Sequence, residues 1–407
     1  MFRQITRLRR PAGRSIGRAP VWMAVLALAS CRMSSDFSGT TYQCGADGAC
    51  PEGQRCVDLV CVLVGPAADA ADAPPPADAP PGPAYLHRRA ITVEAGSSAI
   101  PDGYSIAVSL DHAALVTEGK ARADGADLRV VCDEVERARV LDDMSAWQAE
   151  ETRIWFKLPT AVEASTTYDG CALHYGAPDA PDPAPSWSDS MGADDPSEVF
   201  WYADDFEEHA GGTDPDGWTD QGVEDTKVVL HGSERWLRAM TSIDWRDGAT
   251  ASAMATIDDS VASARLYYWQ AGDNAWGGIG VRQGNGSDGL ITIVRDGEWQ
   301  VFTAGFATGS DWQPDPGLHF SLGTQGRLEV LVAADRATAY WYNEPGLLPV
   351  RTELFADLAL PLGTGKLEVH IERPVDTNER WVDIDNIVVR RYVSPEPSVV
   401  LGEEENL

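Results

Sequence analysis

The 407-residue chain has little lysine: only Lys120, Lys157, Lys227 and Lys366 occur. Lys and Arg together number 32 against 63 Asp and Glu, a formal charge of −31. A surface of that sign repels phosphate backbones and anionic headgroups, which argues against nucleic acid as a partner. No apolar run approaches the roughly twenty residues that a bilayer-spanning helix needs. There is no phosphate-binding loop, dinucleotide fingerprint or His-x-x-x-His, and the seven histidines are scattered at 87, 112, 174, 209, 231, 319 and 370. The serine-hydrolase pattern Gly-x-Ser-x-Gly is also missing. Asn285-Gly286-Ser287-Asp288-Gly289 lacks the first glycine and reads as a hairpin turn. Long helical periodicity is absent.

What is present begins with an export signal. Residues 1–30 carry Arg3, Arg7, Arg9, Arg10, Arg14 and Arg18 and no acid, followed by an apolar run that stops at Cys31. Leu28-Ala29-Ser30-Cys31 reads as a bacterial lipobox, where a signal peptide is cut and the new N-terminal cysteine is acylated. Cleavage before Cys31 removes six arginines and no acid, which takes the net charge from −31 to −37. More than one acyl chain suffices for stable membrane attachment. The expected address is therefore outside the cytoplasm, at the outer membrane or cell surface.

The cysteines fit that address. Seven minus the lipidated Cys31 leaves six, an even number for an oxidising compartment. Cys44, Cys50, Cys56 and Cys61 crowd into residues 31–61, a stretch too small to bury a core, so two disulfides are expected to hold it as a knob. Three pairings are possible and the sequence does not choose among them. Zinc is the rival reading, but Cys-x-x-Cys and a nearby histidine are missing. Cys132 and Cys171 fall in strand-like stretches of one domain and are expected to pair with each other.

Residues 62–84 are almost entirely Pro, Ala, Asp and Gly, a composition that packs no core and acts as an extended spacer. From Tyr85 the pattern is of short β-rich runs with Gly, Asp or Pro between them, up to a proline-rich gap at 177–185. From about Val199 strands recur near every ten residues, a rhythm of large β-sandwiches. The chain is thus expected to be all-β, with two β-sandwich domains of jelly-roll type at 85–198 and 199–395 and an acidic tail at 396–407.

Two stretches resemble known families. Arg88-Arg89-Ala90-Ile91-Thr92-Val93, Asp124-Gly125-Ala126-Asp127-Leu128-Arg129, Trp155-Phe156-Lys157-Leu158-Pro159 and Leu173-His174-Tyr175-Gly176 resemble the bacterial domain of unknown function 2341. That resemblance implies an exported β-sandwich and no activity. Asp204-Asp205-Phe206-Glu207 and Val382-Asp383-Ile384-Asp385-Asn386-Ile387 resemble the first and last strands of concanavalin A-like or laminin G-like sandwiches. This second resemblance implies a structural Ca²⁺ held by Glu207 and Asp385, with Asp205 and Asp383 added. Alternation puts Asp383 and Asp385 on one face of a strand.

Hydrolases of this fold carry a Glu-x-Asp-x-x-Glu run, which this chain lacks; Glu368-Val369-His370-Ile371-Glu372 is the nearest pattern. Thirteen of the fourteen tryptophans lie at or after Trp147. Sugar rings stack their C–H faces on exposed aromatic rings, so Trp269, Trp276, Trp299, Trp312 and Trp341 are the candidate ligand-binding residues. The functional expectation is a lipid-anchored surface protein that binds glycan or another surface polymer through the second sandwich. A polysaccharide hydrolase or lyase on the same sandwich, and a structural envelope protein without ligand, are the alternatives.

Overall fold

The computed structural model describes short strands between 42 and 63, residues 84–181, most of 196–220, the strands and some turns between 226 and 372, and residues 382–407. Cys31, the signal segment, the Pro/Ala spacer, Cys44 and Cys50 lie outside these. The chain divides into two compact units, 1–79 and 80–407.

In the first unit β1 (Tyr42–Gln43), β3 (Val60–Leu63) and β2 (Gln54–Val57) make one small antiparallel sheet in that order. Cys56 and Cys61 are register partners across β2 and β3.

The second unit opens with β4 (His87–Glu94), β5 (Ser105–Leu110), a short helix α1 (His112–Thr117), β6 (Arg129–Cys132), β7 (Val135–Arg137), β8 (Arg139–Leu141), β9 (Thr152–Lys157) and β10 (Thr167–Tyr175). The Asp111 carboxylate caps α1 by accepting from Ala114 N at 2.8 Å. β5, β9 and β8 form a three-stranded sheet facing one that contains β4, β10, β6 and β7. Ile91, Val93, Val130, Leu173, Ile106, Val108, Ile154 and Phe156, drawn from both sheets, form the buried core between them. The expected Cys132–Cys171 disulfide is present, joining register partners on β6 and β10. It closes a 39-residue separation, which stabilises the fold by about 4 kcal/mol.

The motif residues of this first sandwich have structural work. Asp127 is buried, and its carboxylate accepts from Arg122 N (2.9 Å) and Gly176 N (3.0 Å). Gly125 has φ +65°, and a Cβ there would lie 2.4 Å from the Trp147 ring. Arg139, also buried, donates to the carbonyls of Leu128 (2.7 Å) and Gly125 (3.0 Å).

A one-turn helix α2 (Pro196–Val199) leads into the second sandwich. Its strands are β11 (Tyr202–Asp204), β12 (Trp218–Asp220), β13 (Thr226–His231), β14 (Glu234–Ala239), β15 (Asp247–Ala251), β16 (Ser260–Tyr268), β17 (Trp276–Gln283), β18 (Leu290–Arg295), β19 (Glu298–Thr303), β20 (Gln325–Ala333), β21 (Arg336–Asn343), β22 (Arg351–Ala359), β23 (Lys366–Glu372) and β24 (Val382–Arg391). An eight-stranded sheet runs β13-β14-β24-β16-β20-β21-β22, with β11 also on β24. A six-stranded sheet runs β12-β15-β23-β17-β18-β19. Between them lies a core of Leu237, Ala262, Leu328, Val330 and Ile384 from one side and Ile279, Val281, Leu367 and Val369 from the other. The all-β, two-sandwich expectation is met.

The tail is different. β25 (Ser398–Asn406) is an edge strand of the first sandwich, antiparallel to β4. Its acids meet the basic side of that sandwich: Glu404 takes Lys120 at 2.7 Å and the Tyr175 hydroxyl at 2.8 Å, and Arg89 Nε donates to Gly402 O at 2.7 Å. The first sandwich therefore comprises 85–181 and 398–406, and the second is inserted between its last two strands. The expected acidic tail at 396–407 thus contains a strand of this sheet, in which Glu404 and Glu405 meet Lys120, Tyr175 and Arg88 from far away in sequence.

Candidate functional site

Two places in the second sandwich concentrate the predicted residues. The first is the six-stranded sheet. Ile279, Val281, Leu367 and Val369 are at most 1% exposed, which fixes one face as core and assigns alternate positions to the other. On that outer face the register sets Glu368 between Gly280 and Thr250, His370 between Gly278 and Gly248, and Glu372 beside Trp276. Ile291, Ile293 and Arg295 stand opposite Gly280, Gly278 and Trp276 on the other flank, with Phe302, Gln300 and Glu298 next in line on β19. Gly278 and Gly280 of β17 are buried, as are Ile279 and Val281 beside them. Glycine inside a strand often marks close approach by a ligand or another backbone.

The five tryptophans divide accordingly. Trp276 opens β17 on this outer face, in register with Glu372 and Arg295. Trp299 pairs with Val294, which pairs with Gly277. Trp341 is corrected from a ligand-binding to a core residue. It is 2% exposed, belongs to the core, and donates Nε1–H to Asn343 Oδ1 at 2.9 Å. Trp269 and Trp312 lie outside the described residues.

The second place is the acidic set. Asp383 is fully buried and holds Arg238 through two bonds of 2.6 Å. Glu207 accepts from Arg235 N (2.6 Å) and from the Arg235 guanidinium (3.0 Å). These two predicted ligands are thus neutralised by arginines of β14. Asp204 accepts from Trp218 Nε1 at 2.7 Å and from Phe206 N at 2.9 Å. Asp385 is buried, and burial pushes its carboxyl well above the usual range. The backbone N–H of Asn386 and the Arg265 guanidinium pull it down, while Asp205 adds to the rise. Asn386 is 3% exposed, sits at φ +46°, and its Oδ1 is buried with no hydrogen-bond partner. Among the described residues no group of three or more His, Cys, Asp or Glu is arranged to hold a metal ion.

Sequence reasoning missed the three arginines, for which it had no signal, since Arg238 meets Asp383 across 145 positions of chain.

No family model and no curated protein matches the chain. Similar solved structures include the carbohydrate-binding module CBM66 of Bacillus subtilis, at 12% identity and TM-score 0.33, over 43% of this chain and 95% of that one. The cellulose-induced protein Cip1 aligns at 14% identity and TM-score 0.35, over 47% and 97%. The exoplasmic/lumenal domain of VIP36, in a Ca²⁺/Man3GlcNAc-bound form, aligns at 10% identity and TM-score 0.33, over 49% and 99%. The chain itself is an all-β protein of two antiparallel sandwiches, the second inserted into the first.

Proposed function

We propose that this protein is an exported, lipid-tethered binding protein that reads an uncharged glycan along the outer face of its six-stranded sheet. The observation that supports the reading is the register of the six-stranded sheet, which pairs Glu368 and His370 of β23 with Gly280 and Gly278 of β17, and those glycines with Ile291 and Ile293 of β18. Polar and apolar residue types in neighbouring register positions are the mixture that a sugar ring needs. The formal charge of −31, which becomes −37 once the six arginines before Cys31 are removed, selects against uronate or sulfated polymers.

Binding is favoured over cleavage because the Glu-x-Asp-x-x-Glu run that hydrolases of this fold carry is missing from the sequence.

Calcium belongs to the same proposal. Asp205 and Asp385, with the orphaned Asn386 oxygen, are the groups that would hold it, while Glu207 and Asp383 are committed to arginine. Bound there, the ion would supply positive charge to carboxylates that burial otherwise disfavours and pin the first strands to the last.

A glycan array on the whole chain, with and without chelator, tests both parts. Retention of neutral oligosaccharides with no product formed supports the reading, and retention of uronates alone would overturn it. A melting temperature unchanged by chelator and by added Ca²⁺ would remove the calcium.

A further inference from the structure

The two sandwiches meet through a charged cluster in which two adjacent carboxylates share one buried guanidinium. Arg327, on β20 of the second sandwich, is 5% exposed and reaches two adjacent acids of the first: Asp142 Oδ1 at 2.8 Å and Asp143 Oδ1 at 2.5 Å. Asp142 is the better housed. It also accepts from Trp155 Nε1 (2.7 Å) and Met144 N (2.9 Å), with Arg153 at 3.8 Å. Among these bonds Asp143 shares only the Arg327 guanidinium. The Trp155 ring is held between Arg153 (4.6 Å) and Arg390 (5.0 Å), and Arg390 is paired with Glu396. Val140, Val199 and Phe200 seal the cluster on its apolar side. A cavity of about 30 Å³ remains beside it, and Arg327 Nε is buried there without a partner.

The groups facing Asp143 come from every element packed around it. Arg327 and Glu329 lie on β20, Arg265 on β16, Arg390 on β24, and Asp142 with Arg153 on the first sandwich. Two carboxylates 3 Å or less from one guanidinium cannot both be neutralised by it, and like charges this close disfavour joint ionisation.

We propose that Asp142, Asp143 and Arg327 form a proton-operated clasp: uptake of one proton by Asp143 leaves a one-to-one Asp142–Arg327 ion pair and tightens the junction as the medium turns acid. The protonation order follows from the surroundings. Burial pushes both carboxyls up. Arg327 and Arg153, with the Met144 and Trp155 bonds, bring Asp142 well below the usual range, whereas Asp143 stays raised against the pull of Arg327 because Asp142 is charged beside it. A carboxyl raised in the folded state binds its proton more readily there than in the unfolded chain. The folded state therefore gains stability as pH falls from neutral toward about 4. The depressed Asp142 contributes stability throughout that window and loses it only in stronger acid.

The test uses the full chain at pH 7.5 and pH 5.0. Asp143→Asn is isosteric and uncharged. It is expected to melt about 2 °C or more above wild type at pH 7.5, and the gap is expected to close at pH 5.0. A gap of the same size at both values, or a variant less stable than wild type at pH 7.5, overturns the proposal. Hydrogen exchange on the wild type gives a second readout independent of any variant. After correction for intrinsic rates, protection of 139–144 and 325–331 is expected to be greater at pH 5.0, and equal protection contradicts the clasp.

Discussion

At the scale of single residues, the polar interior of the second sandwich is organised by arginine. Asp383 has no solvent exposure and is tied to Arg238 through both carboxylate oxygens. Removing one partner of such a pair leaves the other charge buried and unpaired, at a cost of about 3 kcal/mol or more. Asp383→Ala is therefore expected to lower stability by that amount in urea unfolding, and Asp383→Leu with Arg238→Met to recover most of it. A double variant as unstable as the single one would show that Asp383 has a further role. The sequence made the shared face of Asp383 and Asp385 legible, because alternation is a local rule. It did not make the partners legible, because a salt bridge between strands distant in sequence follows from sheet order. Trp341 shows the same limit: one strand can carry rings on either face, and only the partner sheet decides which face is the core. Its ring also lies against Gly326, where a Cβ would come within 2.4 Å of it.

At the scale of elements, strands with clean alternation were readable and those with broken rhythm were not. The β-rich runs at 88–93, 152–158, 166–175, 327–333 and 381–392 lie within a residue or two of β4, β9, β10, β20 and β24. β22 escaped because its register with β21 slips twice and Asp357 takes φ +56°, which interrupts the alternation. β25 escaped because three consecutive glutamates read as a solvated tail, whereas Glu404 is bonded to Lys120 and Tyr175. Val399 and Leu401 of the same strand pack on the first core. Deleting 398–407 would strip a full strand from β4 and expose its edge. The truncated chain is expected to melt roughly 10 °C or more below wild type and to aggregate on heating. An unchanged melting curve would mean that β25 is not part of the stable sheet.

At the scale of the whole molecule, the insertion ties the second sandwich to the first at both of its ends. The second sandwich leaves the first after β10 and returns through β25, so two covalent connections and the Arg327 cluster join them. Leu407 N donates to Leu86 O at 2.9 Å, which brings the chain's last residue to the point where the spacer enters. The proposed lipid anchor rests on a contiguous pattern, Leu28-Ala29-Ser30-Cys31, and is therefore legible without the fold. Cys31→Ser is expected to block acylation and move the protein from the membrane fraction to the soluble fraction of its native host. Continued membrane retention without labelled palmitate incorporation would point to another anchor.

The outer face of the six-stranded sheet is where the account is most exposed. His370→Ala removes a polar group from the middle of β23, in register with Gly278, and leaves the strand's backbone as it is. Titration of wild type and variant with a neutral oligosaccharide retained on the array measures the claim directly. The account predicts at least a tenfold loss of affinity, about 1.4 kcal/mol, with an unchanged melting temperature. Equal affinity in the two proteins would contradict it and place the binding surface elsewhere.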